Sequence, residues 1–491
     1  MLHIGIDLGT SGMKFLLVDA QGRICNRVVE TYPTHFPQQG WSEQEPEDWW
    51  RVCIAGVRRL MEGFDVSQVA AIGCGGQMHG LVALNESGIS IRPAILWNDG
   101  RASAEAEHLN KTLGKRRLCE LTGNIAYAGF TAPKVLWMQS HEPECFAGLH
   151  YLMLPKDYLN YRLTGAYTTD CSDAGGTLLF DGKNRKWSEE MLGLCGLNHI
   201  LMPQVYESWE VIGTLRKEVA EAMRLPATVQ VVAGAGDNAA AAIGTGTVAP
   251  GACNISVGTS GTVFIAADGF PEAGDGALHI FPHATGRYHL LGCVLSAASC
   301  LKWYCENVLQ TDAVVAEQCA INRERLGRNG VFFLPYLMGE RSPINDADAR
   351  GLFIGMTMAT SRADMVQAVM EGVAFAIRDN LEVAKAMGIT IQHAGLCGGG
   401  SRSALWREIL ANVLGIALEL PRTEEGPAYG GAMLAMIGTG CYETVEDCVA
   451  AMTETAETVL PDRELAERYE EQYRKYRKIY PAVRPLFRTL R

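Results

Sequence analysis

Apolar positions along the chain follow two periods. Short runs with strand length and β-branched content recur: HIGID at 3–7, MKFLLVD at 13–19, QVAAIGCGG at 68–76 and ATVQVVAGAG at 227–236. Between them lie stretches of helical character such as PEDWWRVCIAGVRRLMEGF, 46–64. The alternation continues through both halves and predicts an α/β protein. In the tail, ELAERYEEQYRKYRKIY sets Tyr469, Tyr473, Tyr476 and Tyr480 at helical spacing, which predicts a packing stripe on a C-terminal helix.

One pattern is written twice. DLGTSG at 7–12 returns as SVGTSG at 256–261, and the register extends outward: Gly9 matches Gly258, Gly12 matches Gly261, Phe15 matches Phe264 and Asp19 matches Asp268, all at an offset of 249. Each copy reads as strand, glycine-containing turn, strand. A repeat at half the chain length predicts duplicated domains, 1–245 and 246–491, divided near the Gly- and Pro-containing GTGTVAPG.

Composition narrows the function. The 48% hydrophobic and 20% charged content is that of a globular protein, and the net charge of −12 argues against a nucleic-acid partner. The N-terminus shows no basic region leading into an apolar run, and no apolar run is long enough to span a membrane. Fifteen cysteines without a CxxC pair or a Cys/His cluster suit reduced thiols in a cytoplasmic setting; Cys300 and Cys305 are expected in a packed helix. Oligomeric state is not written in the pattern, and a homodimer stays open.

The turns carry the first chemistry. A Gly-Thr-Ser turn offers amides and hydroxyls that suit phosphate oxygens, and a single copy is equally an ordinary chain reversal. Two copies opening two duplicated halves are expected to grip one polyphosphate from both sides. Asp7 then explains the asymmetry between the copies. One carboxylate is expected to hold a hydrated Mg²⁺ brought by a nucleotide triphosphate, while a second one at Ser256 would repel the phosphates. Lys14 either adds charge beside a phosphate or is a solvated strand lysine. Asp237, in VVAGAGDNAAAAIG, follows a strand and opens an alanine-rich helix; it is either a helix cap or a general base at the carboxyl edge of a sheet, with Asn238 beside it for a polyol. GQMHG (76–80) and WNDGR (97–101) end apolar strands and offer polar, soft and aromatic contacts. LCGGGSRSALW (396–406) brings bare backbone to a helix start. FLPYLMGERSP (333–343) reads as a loop over a cleft, with Glu340 and Arg341 free to pair with each other.

DLGTSG, GQMHG, WNDGR, GAGDN, SVGTSG, FLPYLMGER and CGGGSR, in this order over essentially the whole chain, resemble the FGGY carbohydrate kinases. QMHG, WNDGR and PKDYL (155–159) are most similar to the branch acting on xylulose; glycerol-specific members carry Arg-Glu where this chain has Met78 and His79. The resemblance implies two actin-like, ribonuclease-H-like domains closing on ATP and a sugar, the first on the sugar side and the second on the nucleotide side. It implies phosphorylation of the D-xylulose 5-hydroxyl, with other pentuloses, polyols and sugar acids as alternatives. It implies Asp237 as general base; Gln77, Met78, His79, Trp97, Asp99 and Asn238 at the sugar; and Asp7 near the metal. The nucleotide falls to Gly9, Thr10, Ser11, Lys14, Gly258, Thr259, Gly399, Gly400 and Ser403. A rival of another class, an actin- or Hsp70-like ATP-driven machine, shares the hairpins but has no use for Asp237-Asn238, QMHG and WNDGR.

Overall fold

The structure is a computed structural model describing residues 1–272 and 276–490. Its frame is a pair of seven-stranded sheets built to one plan. In the first, β1 (Leu2–Leu8), β2 (Gly12–Asp19) and β3 (Ile24–Thr31) form an antiparallel meander. On the other side of β1, β4 (Val69–Gly76) runs parallel to it; β5 (Val211–Thr214) and β6 (Gln230–Val232) extend the sheet, and β7 (Ala235–Gly236) pairs with the end of β4. In the second, β8 (Cys253–Val257), β9 (Gly261–Ala267), β10 (His279–Pro282) and β11 (Tyr288–Val294) are antiparallel, β12 (His393–Cys397) lies parallel to β8, and β13 (Ala417–Pro421) and β14 (Thr455–Val459) follow. Hairpin on one side and parallel strand on the other recur in both, so the repeated GTSG marks a repeated sheet. Asp7 and Ser256 hold equivalent places on β1 and β8, while the cross-strand register differs by one residue: Asp7 pairs with Lys14 and Ser256 with Thr262.

Helices cover the sheets because each apolar strand face needs an apolar partner. Helix α1 (Pro46–Leu60) shows why: Trp49, Trp50, Cys53, Val57 and Leu60 form one stripe, which packs with Phe15 and Leu17 of β2. α2 (Thr131–His141) and α3 (Pro155–Thr164) belong to the segment between β4 and β5, and α4 (Lys217–Met223) joins α1 beneath the first sheet. Beyond the second sheet lie α6 (Arg362–Ala386) and α7 (Ala404–Leu414). The tail forms α9 (Arg463–Tyr476) and α10 (Ile479–Phe487). The tyrosine stripe is present: Tyr469, Tyr473 and Tyr476 are buried around Phe375 of α6, with Tyr480 one helix later, donating to Asp346 at 2.6 Å.

Two further helices interlock the halves. α5 (Asp237–Gly244) closes the first half and α8 (Gly426–Gly438) comes late in the second, yet α8 lies on β1 and β4 of the first sheet. The approach is too close for side chains. A Cβ on Gly5 would stand 1.8 Å from the Ala428 carbonyl oxygen, and one on Gly430 would stand 1.9 Å from the Ala240 carbonyl oxygen. Ala71, Val232, Ile243, Ala432 and Ala435 share one buried cluster there. A cut at 245 therefore leaves the first sheet without the helix on one of its faces, which a reading by linear halves does not foresee.

Candidate active site

Both glycine turns sit at the carboxyl ends of their central strands, and the start of α5 shares a cavity of about 420 Å³ with strand residues that flank the second of them, Ser256 and Thr262. Asp237, Asn238, Ser256, Thr262, Gly398 and Gly426 line it. The first residues of α5 and α8 both border this space, and helix N-termini favour anions.

Asp237 is the first residue of α5. Oδ1 accepts from the Asn238 amide at 2.7 Å and from Asn238 Nδ2 at 2.9 Å, which leaves Oδ2 for a substrate hydroxyl. Burial raises its pKa to about 6, against the hydrogen bonds from Asn238. Asp7, near the end of β1, is raised to about 7 by burial and then by the charge of Asp237, with Lys14 pulling the other way. Lys14 itself pairs with Glu425 at 3.2 Å. A phosphate would have to compete with that carboxylate for it.

The first turn is held from behind. Gly9 N–H closes it onto the Gly12 carbonyl at 3.1 Å, and the Tyr32 hydroxyl donates to the Gly9 carbonyl. Gln44 Nε2 donates to the Thr10 carbonyl at 2.6 Å. Thr10 Oγ1 donates to Gln77 Oε1 at 3.3 Å and accepts from Trp97 Nε1 at 2.9 Å. Gln77, 1% exposed, also donates to Gln44 Oε1 at 3.0 Å. It is thus a brace for the turn, not the sugar contact its motif suggests. Ser11 is exposed at the tip. In the second turn Gly258 N–H goes to the Ser260 carbonyl at 3.0 Å, and Thr259 is exposed. The amides of Gly9 and Gly258 are therefore spent on shaping turns, which corrects the expectation that they face phosphate.

Met78 and His79 come to the same cleft by different means. Met78 is buried, its sulfur 3.9 Å from Asn238 Nδ2, and a Cβ on Gly236 would meet its Cγ at 2.8 Å. His79 has φ of 68°, the left-handed region that non-glycine residues avoid. Its carbonyl is clamped by Thr131 Oγ1 at 3.0 Å and Lys134 Nζ at 2.9 Å, both from the first turn of α2. The ring stacks on Phe130, centroids 4.4 Å apart, and Nδ1 lies 2.6 Å from the Gly176 carbonyl. A carbonyl only accepts, so Nδ1 carries the proton and Nε2 is an acceptor suited to a sugar hydroxyl. Burial lowers the pKa to about 3, which keeps the ring neutral.

Trp97 exposes 39% of its surface next to Thr10, as a stacking platform would. Asp99 does not join it. Its side chain is wholly buried, and its oxygens accept from Arg101 Nε and Nη2 at 2.9 and 2.8 Å and from Ser42 N–H at 2.6 Å. The expected sugar contact is instead the anchor of its own loop. Glu340 and Arg341 do not pair with each other through their side chains: Glu340 Oε1 accepts the amides of Leu295 and Arg341 at 2.9 and 2.8 Å, while the Arg341 guanidinium lies over Tyr127, 5.2 Å from its ring centroid. On the nucleotide side Gly399 is open, a Cβ on Gly400 would strike Val257 at 2.6 Å, and Ser403 caps α7 through the Trp406 amide while its hydroxyl donates to Gln318. Tyr32 and Gln44 are functional supports that the motifs do not mark; neither belongs to a glycine turn or to a strand end with polar residues.

Two adjoining family profiles account for most of the chain. The N-terminal domain of the FGGY family of carbohydrate kinases matches residues 2–244, and its C-terminal domain matches residues 253–439. The chain belongs to the FGGY family of carbohydrate kinases. Among FGGY relatives, the xylulose kinase of Escherichia coli (strain K12) is 40% identical over 490 residues, covering 99% of this chain and 100% of that protein. The xylulose kinase of Klebsiella pneumoniae is 42% identical over 441 residues, 89% of this chain and 90% of that one. A solved structure, described as a xyloylose kinase from Brucella ovis, superposes with a TM-score of 0.94 at 40% identity, covering 99% and 100% of the two chains. The fold is that of the actin-like sugar kinases, as the sequence resemblance implies.

FGGY kinases act with ATP, whose usual companion is a magnesium ion. Among the described residues no three His, Cys, Asp or Glu side chains are arranged to enclose a metal. Two mutually repelling carboxylates at the cleft, both pushed upward in pKa, fit an ion that keeps most of its waters and takes one or two carboxylates. The same pair predicts a cost. In the fold Asp7 and Asp237 hold protons up to about pH 7 and 6, whereas in the unfolded chain they lose them near pH 4. The folded state therefore binds more protons in that window, and stability falls as pH rises through it. Asp7→Asn is expected to melt higher than the parent at pH 8 without magnesium and equally at pH 4, by differential scanning fluorimetry, while losing kinase activity. A variant that melts lower at pH 8 would contradict this.

Proposed function

We propose that this FGGY kinase transfers the γ-phosphoryl group of ATP to the 5-hydroxyl of D-xylulose. The observation that carries the reading is Asp237, a half-buried carboxylate with one oxygen available, lining a cavity with the second glycine hairpin and close to the Met78–His79 pair. The xylulose kinases at 40% and 42% identity supply the sugar.

Phosphoryl transfer passes through a loose transition state, so positioning and charge neutralisation dominate. Asp237 accepts the proton of the attacking hydroxyl. His79 Nε2 and Asn238 orient the sugar, with Met78 beneath and Trp97 beside it. Thr10, Ser11 and Thr259 contact the phosphates, and Gly399, Gly400 and Ser403 line the adenosine. Magnesium, held by Asp7 with Asp237 nearby, would neutralise phosphate charge. Residues 1–245 form the sugar side and 246–491 the nucleotide side, apart from α8 and from the first glycine turn and Asp7, which reach the phosphates and the metal. No helix among the described residues is long and apolar enough to cross a membrane, and cysteines without a disulfide among the described residues suit a cytoplasmic enzyme.

The test is a sugar panel in a coupled ADP-release assay. D-Xylulose is expected to give the highest kcat/KM, above D-ribulose, gluconate and glycerol. Preference for one of those would overturn the substrate, and ATP consumption indifferent to every sugar would overturn the kinase chemistry.

A further inference from the structure

The segment that delivers Asp237 cannot anchor itself. It crosses from β6 to β7 through Gly234, at φ of 72°, where a Cβ would stand 2.0 Å from the Cys74 carbonyl oxygen; at Gly236 a Cβ would strike Met78. Without side chains at these two positions, the crossing leans on the β7–β4 ladder, on the buried Ala233 and Ala235, on the Ala233 and Gly234 amides, which donate to the Glu210 and Ser208 carbonyls at 2.9 Å, and on polar side chains that reach its backbone.

What reaches it is a buried set of polar groups that the chemistry above leaves unused. Lys156, at the start of α3, donates to the Ala233 carbonyl at 3.2 Å, and Asn160 Nδ2 donates to it at 2.8 Å. Lys156 Nζ also lies 2.6 Å from Asp157 Oδ1, 3.1 Å from Asp170 Oδ1 and 3.8 Å from Asp173 Oδ2. Asp170 Oδ2 accepts from the Ser172 amide at 2.8 Å, from Ser172 Oγ at 2.6 Å and from Ser208 Oγ at 2.9 Å. Having given its proton to Asp170, Ser172 Oγ accepts from the Gly236 N–H at 3.1 Å. The crossing is thus held at Ala233 by Lys156 and at Gly236 by Ser172, and the next residue is Asp237.

Such a set is costly. Burial pushes Asp157 up and Asp173 well up. Lys156 rises in spite of its burial, because the neighbouring acids hold its proton. Replacing buried ion pairs by apolar residues of similar volume is often neutral or stabilising, so stability alone does not account for charges here.

We propose that Ser172, fixed by Asp170 and Lys156, is a positioning residue that sets the Asp237 carboxylate in the cleft through the Gly236 amide. The proposal rests on the reading of Asp237 as the base. Loss of the link lets the carboxylate drift, which costs turnover, while His79, Met78 and the two glycine turns keep their places and substrate binding survives.

Ser208 provides a matched control: its hydroxyl meets the same Asp170 oxygen but does not touch Gly236. Ser172→Ala and Ser208→Ala, made in the full chain, are expected to melt alike. Ser172→Ala loses about tenfold to 10²-fold in kcat with KM for sugar and ATP unchanged, and Ser208→Ala keeps kcat near the parent. Equal kcat in the two variants, or a Ser172→Ala loss that falls on KM, overturns the proposal. If Ser172→Ala does not fold, Ser172→Cys, which keeps a weak acceptor of similar size, takes its place with the same reading. Asp237→Asn is measured alongside. An inactive Asp237→Asn with equal serine variants removes only the positioning role; near-parental turnover of Asp237→Asn removes both it and the base.

Discussion

Asp237→Ala is expected to lower kcat by about 10²–10⁴-fold, the range for losing a positioned base, or about 3–5 kcal/mol of barrier. The carboxylate touches the reacting hydroxyl in this reading, whereas the phosphates are held by the turns, so binding of a non-hydrolysable ATP analogue should persist in calorimetry. The parent should also show an acid limb. Asp237 has a pKa of about 6 in the fold, and a protonated carboxyl cannot accept the hydroxyl proton. The logarithm of kcat/KM is therefore expected to fall with unit slope as pH drops below about 6 and to level off above it. Near-parental turnover of Asp237→Ala would take the base role from this residue.

Gly430→Ala is expected to be strongly destabilising. The added carbon would stand 1.9 Å from the Ala240 carbonyl oxygen and 2.7 Å from its carbon, and the amide of Gly244 lies 3.2 Å away. These are backbone atoms of α5, so no rotamer change relieves the clash; the helices must part. Overpacking a core typically costs about 1–3 kcal/mol, and rigid backbone on the far side places this case at the top of that range or above it. Moving α5 also moves Asp237, so activity should fall together with the denaturant midpoint. Gly269→Ala is the control, because a Cβ there meets nothing within 4 Å. Equal midpoints for the two variants would show that the seam is looser than the distances say.

The sequence makes both hairpins, the duplicated sheets, the tyrosine stripe and the position of Asp237 legible, because each rests on local spacing or on a repeat. It is silent where distant segments meet. Gln77 and Asp99 have the right chemistry for a sugar, yet Gln44, Thr10, Ser42 and Arg101 claim their polar atoms, and apart from Arg101, in Asp99's own loop, those partners lie elsewhere in the strand and loop order. The Gly236 amide meets a serine 64 residues earlier in the chain. Gly430 and Gly431 look like an ordinary weak point in a helix. Only the neighbouring backbones of Gly73 and Ala240 show that absence of a side chain is the requirement there.

The late arrival of α8 bears on biosynthesis. As the chain leaves the ribosome, β1 through β7 emerge long before residues 426–438, which supply one layer of their packing. Until then Ala71, Val232 and their neighbours face solvent, and a nascent first half with a bare apolar sheet is prone to aggregation. The final step in folding the amino-terminal lobe consequently waits for residues 426–438, and its yield should depend on chaperones that shield that face until they arrive.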